Sequence, residues 1–175
     1  GFSTMPVLND PYVIYSFHFY SPPSYTGQGV GAFTNYFPTY PGSNSIWGPY
    51  DANPPTYWDK EALRDDMIVA INFSQAHPDK RILVGEFGVL RWAPGAEKWL
   101  SDCIALFEEY GWDWCNHTPS SWNGFNVTYS TNINDPAYAN QAPDGGDRGA
   151  RLMALSTNWA LNASAPLLDI LPGTR

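Results

Sequence analysis

Positive charge is scarce in this chain: nine Lys plus Arg stand against 17 Asp plus Glu, a net charge of −8. A phosphate backbone is held by a basic footprint that displaces its counterions, so the balance argues against nucleic acid as a partner. Long apolar runs are missing as well. No stretch reaches the roughly 18 apolar residues that span a bilayer, and the opening GFSTMPVLNDP lacks the charged and apolar regions of a signal peptide. The expectation is a soluble chain, processed or truncated, with no membrane partner. Cysteine is limited to Cys103 and Cys115. A bridge between them stays open, although free buried thiols are the commoner outcome for such a pair. There is no CxxC pair or Cys/His cluster, and His18, His77 and His117 lack metal-ligand spacing, so no metal and no cofactor are expected. Internal repeats and low-complexity segments are absent too. Sequons at Asn72, Asn116, Asn126 and Asn162 acquire meaning only in a glycosylating host.

What is present fits one domain. The 175 residues are 43% hydrophobic, enough to bury an ordinary core. Aromatic residues reach 16%, with eight Trp and eleven Tyr. Some of these rings must fill the core, and the rest suit a neutral polysaccharide, whose sugars are gripped through ring faces and side-chain hydrogen bonds.

The most informative segment is RILVGEFG at 81–88. An uninterrupted apolar run bounded by turn residues predicts a parallel strand covered on both faces. Its Glu86 falls at the carboxyl end, where α/β folds assemble their sites. Glu86 has two readings there: a working carboxylate, or a cap on the next turn salt-bridged to Arg91. Position alone leaves both open.

Three strand-helix units follow from the patterning. The first opens with the β-branched and aromatic YVIYSFHFY at 12–20, stopped by Pro22 and Pro23. Residues 24–55 are too long for a plain connector and read as either a substrate-facing loop or a disordered lid; Phe33, Tyr36, Phe37, Tyr40, Trp47 and Tyr50 give it something to pack with and favour the loop. A single helix is predicted over 57–77, with Leu63, Met67, Ala70, Ile71 and Ser74 on one stripe and Asp59 and Glu61 at its positive end. The second unit is the 81–88 strand and a helix over 96–110. There Trp99, Leu100, Cys103, Ile104 and Phe107 recur at three and four, and Gly111 supplies the stop. The third is WDWCNH at 112–117, a polar loop over 118–146 and a helix over 148–161, with a short extra strand available at 125–130. This alternation predicts an α/β fold with parallel pairing and right-handed crossovers.

Several residues are candidates for chemistry. His18 and Tyr20 are two apart at a strand end, so both side chains point the same way. A phenol and an imidazole beside a carboxylate hold it ionised and oriented. The bland reading of an H-x-Y pair is a satisfied structural histidine, which is the stronger one for the pair in isolation. Trp92, Trp114 and Trp122 could line sugar subsites; Trp114, inside a strand, fits the core better, whereas Trp122 in SSWNGF suits exposure.

Together these motifs resemble glycoside hydrolase family 5, the cellulase family. YSFHFYSP is similar to its sixth strand with the His and Tyr, VGEFGVLRWAPGAEKWL to its seventh with the nucleophile, and FEEYGWDW to its eighth. The resemblance implies Glu86 as nucleophile, His18 and Tyr20 as its companions, Trp122 as a sugar platform, and retaining hydrolysis of β-glucan. Trp92, Arg91 and Trp47 are the further candidates for substrate contact. YSPPSYTGQGV at 20–30 is also similar to a cellulase active-site loop.

The family fold is a (β/α)8 barrel of about 250 residues or more. Against it, 1–175 reads as a single truncated TIM-barrel domain of about three parallel strand-helix units, lacking the Asn-Glu pair of strand four whose Glu is the family's acid/base. Ser120 and Ser121 precede Trp122 where the family pattern carries an arginine and an acid. Glu61, Glu97, Glu108 and Glu109 all fall on predicted helices, and Asp113 is the remaining local substitute. An open three-stranded sheet has two exposed edges. The expected states are therefore a fragment of a longer enzyme, a homo-oligomer whose sheets complete one another, or a short form that recruits strands from 118–146 and 166–171. Two functions follow: a secreted endo-β-1,4-glucanase acting through Glu86, or a non-catalytic glucan-binding remnant. Mannan and xylan remain open beside β-glucan as polysaccharide or oligosaccharide substrate.

Overall fold

The computed structural model describes residues 2–117 and 124–126. Its centre is a parallel sheet in the order β1 (Ile14–Phe19), β4 (Arg81–Phe87), β5 (Asp113–Asn116). Between β1 and β4 the chain forms α1 (Pro23–Thr26), an antiparallel pair β2 (Gly42–Asn44) and β3 (Thr56–Trp58), and helices α2 (Lys60–Asp66) and α3 (Ile68–Ala76). The connection from β4 to β5 is α4 (Ala96–Glu109). The α/β reading and the parallel pairing hold. The helix over 148–161, the 166–171 segment, and the loop over 118–146 with its 125–130 strand, apart from residues 124–126, lie outside the described residues.

Helices cover the face of the sheet that carries Tyr15, Phe19, Ile82, Val84 and Phe87, all buried. Tyr15 meets Phe73 of α3 at 4.8 Å, and Phe19 stacks on Trp99 of α4 at 6.2 Å, so both helices share that face. Phe107 closes edge-on against Phe87 at 5.0 Å. The other face is more open among the described residues: Ile14, Ser16 and His18 are exposed and Leu83 and Gly85 are half-buried. Two-sided cover of the 81–88 strand was expected from its apolar run, and the structure corrects this. Alternate residues of β4 are deeply buried, while those between them are only partly shielded.

The predicted stripe on α4 is the buried one: Trp99, Leu100, Cys103, Ile104 and Phe107 face inward, and Gly111 follows at φ +67. The single helix over 57–77 is corrected to two. Residues 56–58 are taken by β3, and Asp59 then caps α2 by accepting from the Ala62 N–H at 3.0 Å. At Met67 the backbone turns to φ −83 and ψ 0, and its N–H is shared between the Leu63 and Arg64 carbonyls. Leu63, Met67, Ala70 and Ile71 still reach the core from both pieces. The two cysteines are free thiols; Cys103 is buried as expected, but Cys115 is exposed.

The long 24–55 loop is a folded unit. Tyr40 is buried and donates to the Asp102 carboxylate of α4 at 2.8 Å, where Lys98 also pairs with Asp102. Gln28 donates to the Tyr25 and Pro38 carbonyls, and the Trp92 indole N–H reaches the Gln28 carbonyl at 3.1 Å. The loop is thus bound to both the turn after β4 and the helix beyond it.

Candidate active site

Glu86 lies in the penultimate position of β4, opposite His18 of β1. The register shifts between Phe17 and His18, so that Phe17 pairs with Val84 and His18 with Glu86, leaving Gly85 as an extra residue. A bulge of this kind re-aims the side chain that follows it. Without it, Glu86 would continue the alternation that buries Ile82 and Val84 against the helices. Gly85 also sits close under its neighbours: a Cβ there would lie 2.7 Å from Ser16 Oγ and 3.4 Å from the His18 ring, so the Ser16 hydroxyl would have to turn away.

Two side chains converge on the Glu86 carboxylate. Tyr20 donates its hydroxyl to Oε2 at 2.9 Å, and His18 Nδ1 lies 3.5 Å from the same oxygen. The first is a hydrogen bond; the second is long for one and becomes an ion pair when the imidazole is protonated. Burial, then the hydrogen bond to Glu86 and its negative charge, hold the Tyr20 phenol well above the ordinary tyrosine value, so it stays a protonated donor. The predicted common direction of His18 and Tyr20 is met, and Glu86 is not the salt-bridge partner of Arg91 among the ion pairs of the described residues.

The turn after Glu86 is held from both sides. Leu90 N–H donates to the Thr26 carbonyl at 3.0 Å, and Arg91 N–H to the Gly124 carbonyl at 2.8 Å. The His117 N–H donates to the Phe87 carbonyl at 2.8 Å. Arg91 is 2% exposed and its guanidinium lies 5.1 Å from the Trp92 ring. Trp92 is half-buried, and Trp47, in the loop after β2, is 60% exposed. Trp114 is half-buried, packs edge-on against Phe87 at 5.6 Å and donates to Glu108 Oε1. Trp122 lies outside the described residues. Phe125, which the sequence offered only as the start of a strand, stands 5.7 Å from the Tyr20 ring.

Of the candidate substitutes, four are bonded elsewhere. Asp113 opens β5 at the level of Leu83 and pairs with Arg81 at 2.7 Å, toward the amino end of the sheet, so it does not substitute for an acid beside Glu86. Glu61 and Glu109 pair with Arg64, and Glu108 accepts from Trp114. Glu97 is exposed in the first turn of α4. No group of three metal-binding side chains occurs among the described residues.

Against known proteins, no family model matches. Endoglucanase C of Acetivibrio thermocellus is 33% identical over 120 residues, covering 59% of this chain and 35% of its own length. Endoglucanase C307 of a Clostridium species matches to the same extent. The chain is similar to the cellulases of glycoside hydrolase family 5. It spans about a third of the length of these curated relatives, at 35%. Among solved structures, Cel5A of Thermotoga maritima with cellobiose superposes at a TM-score of 0.53, 22% identity, over 88% of this chain and 43% of its own. A cellulose synthase subunit Z from Clostridioides difficile gives 0.55 at 22% identity, over 86% and 43%. At that identity the superpositions speak for the fold: a partial parallel sheet with helices, like part of a TIM-barrel endoglucanase.

Proposed function

We propose that this chain carries the nucleophile half of a retaining endo-β-1,4-glucanase, with Glu86 as nucleophile and His18 and Tyr20 as its companions. The observation that carries the reading is the convergence of Tyr20 and His18 on Glu86 Oε2 at the carboxyl end of the sheet. Retaining hydrolysis proceeds through two displacements. Glu86 attacks the anomeric carbon as the glycosidic oxygen leaves with a proton from a second carboxyl group that lies outside the described residues, giving a glycosyl ester; water then attacks that carbon, returns a proton to the same group and releases Glu86 as carboxylate. Both partners sit on Oε2, which leaves Oε1 to form the bond. The Tyr20 hydroxyl lowers the charge on the spectator oxygen and fixes its rotamer, and His18 braces it from the β1 side.

The same reading assigns β-glucan polysaccharide or oligosaccharide as substrate, a secreted location, and sugar contacts at Trp47, Trp92 and Trp122, with Arg91 backing Trp92. It takes 1–175 as one truncated barrel domain. β1 and β5 each have one unpaired edge among the described residues, which supports completion by a further copy of the chain.

A second reading is supported by the carboxylates. A retaining pair stands about 5–5.5 Å apart, and the other glutamates of the described residues lie on helices, three of them already bonded. On this reading the chain binds glucan without turning it over. Reducing-sugar release from carboxymethyl-cellulose and barley β-glucan, with Glu86→Gln beside the parent, separates the two. Hydrolysis abolished in Glu86→Gln with binding retained supports the enzyme; an inactive parent that binds glucan supports the second reading. Mannan and xylan in the same assay rank the substrate.

A further inference from the structure

The hydroxyl that Tyr20 presents to Glu86 is only as well placed as Tyr20 itself, and Tyr20 is the residue just past the end of β1, outside the sheet ladder. Two contacts take the place of the ladder. Thr26 donates its side-chain hydroxyl to the Tyr20 carbonyl at 2.6 Å, and Phe125 lies against the Tyr20 ring at 5.7 Å. Each of the two also touches the turn that follows Glu86. The Thr26 carbonyl accepts from the Leu90 N–H at 3.0 Å. The Phe125 ring would be 3.5 Å from a Cβ on Gly88, and its neighbour Gly124 accepts from the Arg91 N–H at 2.8 Å. On its other side Phe125 meets the His117 ring at 6.0 Å. Thr26 is 2% exposed, and its hydroxyl faces two protein carbonyls, that of Tyr20 at 2.6 Å and, more distantly, that of Pro22 at 3.4 Å.

We propose that Thr26 and Phe125 are positioning residues that clamp Tyr20, one by its carbonyl and one by its ring, and so fix its hydroxyl on Glu86. The inference rests on the reading of Glu86 and Tyr20 as the working pair. Through these two residues the segment after β1 and residues 124–126 are tied to the turn after β4 around the carboxylate, the support that a positioned nucleophile requires. A purely structural role would tie the loops together without setting the environment of the Tyr20 phenol.

The test has two readouts on the full chain. Tyrosines labelled with 13C at Cζ are titrated by NMR, with the Tyr20 signal assigned by its loss in Tyr20→Phe, in the parent and in Thr26→Val, Thr26→Ser and Phe125→Leu. Thr26→Val keeps the shape and deletes the donor; Thr26→Ser restores it. The clamp predicts that Tyr20 titrates at lower pH in Thr26→Val and Phe125→Leu, because its burial and its bond to Glu86 are both loosened, and returns to the parent value in Thr26→Ser. Unchanged Tyr20 titration in both loosened variants overturns it. Urea midpoints run in parallel keep folding losses apart, and a variant that fails to fold leaves the other to decide. In glucan hydrolysis, kcat falls about tenfold or more in both loosened variants with KM nearly constant. Should no protein hydrolyse glucan while the titration shifts appear, the clamp stands and the enzyme reading falls.

Discussion

Tyr20 and Glu86, 66 positions apart in the chain, are joined by a 2.9 Å hydrogen bond from just past the end of β1 to the neighbouring parallel strand β4. A bond from a neutral donor to a charged acceptor is worth about 1.5–3 kcal/mol. Tyr20→Phe should therefore lower kcat on β-glucan by roughly ten- to a hundredfold, since each 1.36 kcal/mol is a factor of ten. KM should change little, because the phenol bears on the carboxylate and not on remote sugars. An unchanged kcat beside a lost hydrogen bond would take Tyr20 out of the mechanism.

The two glycines that flank the site should respond differently to the same methyl group. At Gly85 a Cβ would meet the Ser16 hydroxyl, the free end of a side chain that can rotate. At Gly88 it would meet the His117 backbone carbonyl well inside 3.0 Å. Gly88→Ala should cost about 1–3 kcal/mol in urea unfolding, the usual range for overpacking, and no side-chain change should relieve it. Gly85→Ala should cost less, and Ser16→Ala in the same chain should recover most of the loss.

These constraints also explain which parts of the molecule were legible in advance. The 81–88 strand and the 96–110 helix stood out because the first is an unbroken apolar run and the second repeats at three and four; packing agrees with the helix stripe, while the strand is deeply buried on one face only. The common direction of His18 and Tyr20 was legible from period-two spacing at a strand end, and the position of Glu86 from the carboxyl end of its apolar run; their convergence on one oxygen is what the structure adds. The bulge at Gly85 was not, although it is what aims Glu86, since a glycine beside a carboxylate reads equally well as a turn. The break at Met67 carried no Gly or Pro signal; it follows from two short helices meeting one core. The β2 and β3 pair was missed because GSN and TYW are too short to show alternation. Phe125 could be found only in three dimensions, because its contact with Tyr20 spans the whole sheet.

Two aromatic residues of the 24–55 loop separate binding from folding. Trp47 is 60% exposed, whereas Tyr40 is buried and bonded to Asp102, itself 5% exposed. Trp47→Ala should leave stability within about 0.5 kcal/mol, as surface substitutions usually do, and weaken retention on a β-glucan affinity gel. Tyr40→Phe should do the reverse. It strips a donor from a buried carboxylate at a cost of about 1–3 kcal/mol, measurable by urea unfolding, with glucan retention kept in the folded fraction. Equal glucan affinity in Trp47→Ala and the parent would remove Trp47 from the sugar-binding surface.

The acid side of the stability profile should carry the mark of Arg64. Its guanidinium meets Glu109 through two nitrogens, reaches Glu61 and donates to the Tyr110 hydroxyl at 2.7 Å, tying α2 to the end of α4. The hydrogen bond from Arg64 holds the Glu109 carboxyl below its usual value, and the charge of Arg64 adds to it. A carboxylate depressed in the folded state stabilises above its unfolded pKa, about 4.3 for glutamate, and that stabilisation is lost as pH falls through the lower folded value. The parent should therefore exceed Glu109→Gln in stability by a constant amount near neutral pH, and the gap should close as the pH is taken below about 4. Because the carboxylate is on the surface, 1 M salt should shrink the gap at every pH. Urea midpoints of both proteins from pH 7 to pH 3 test this, and a gap that stays constant down to pH 3 would show that the Arg64 pair contributes nothing to holding α2 against α4.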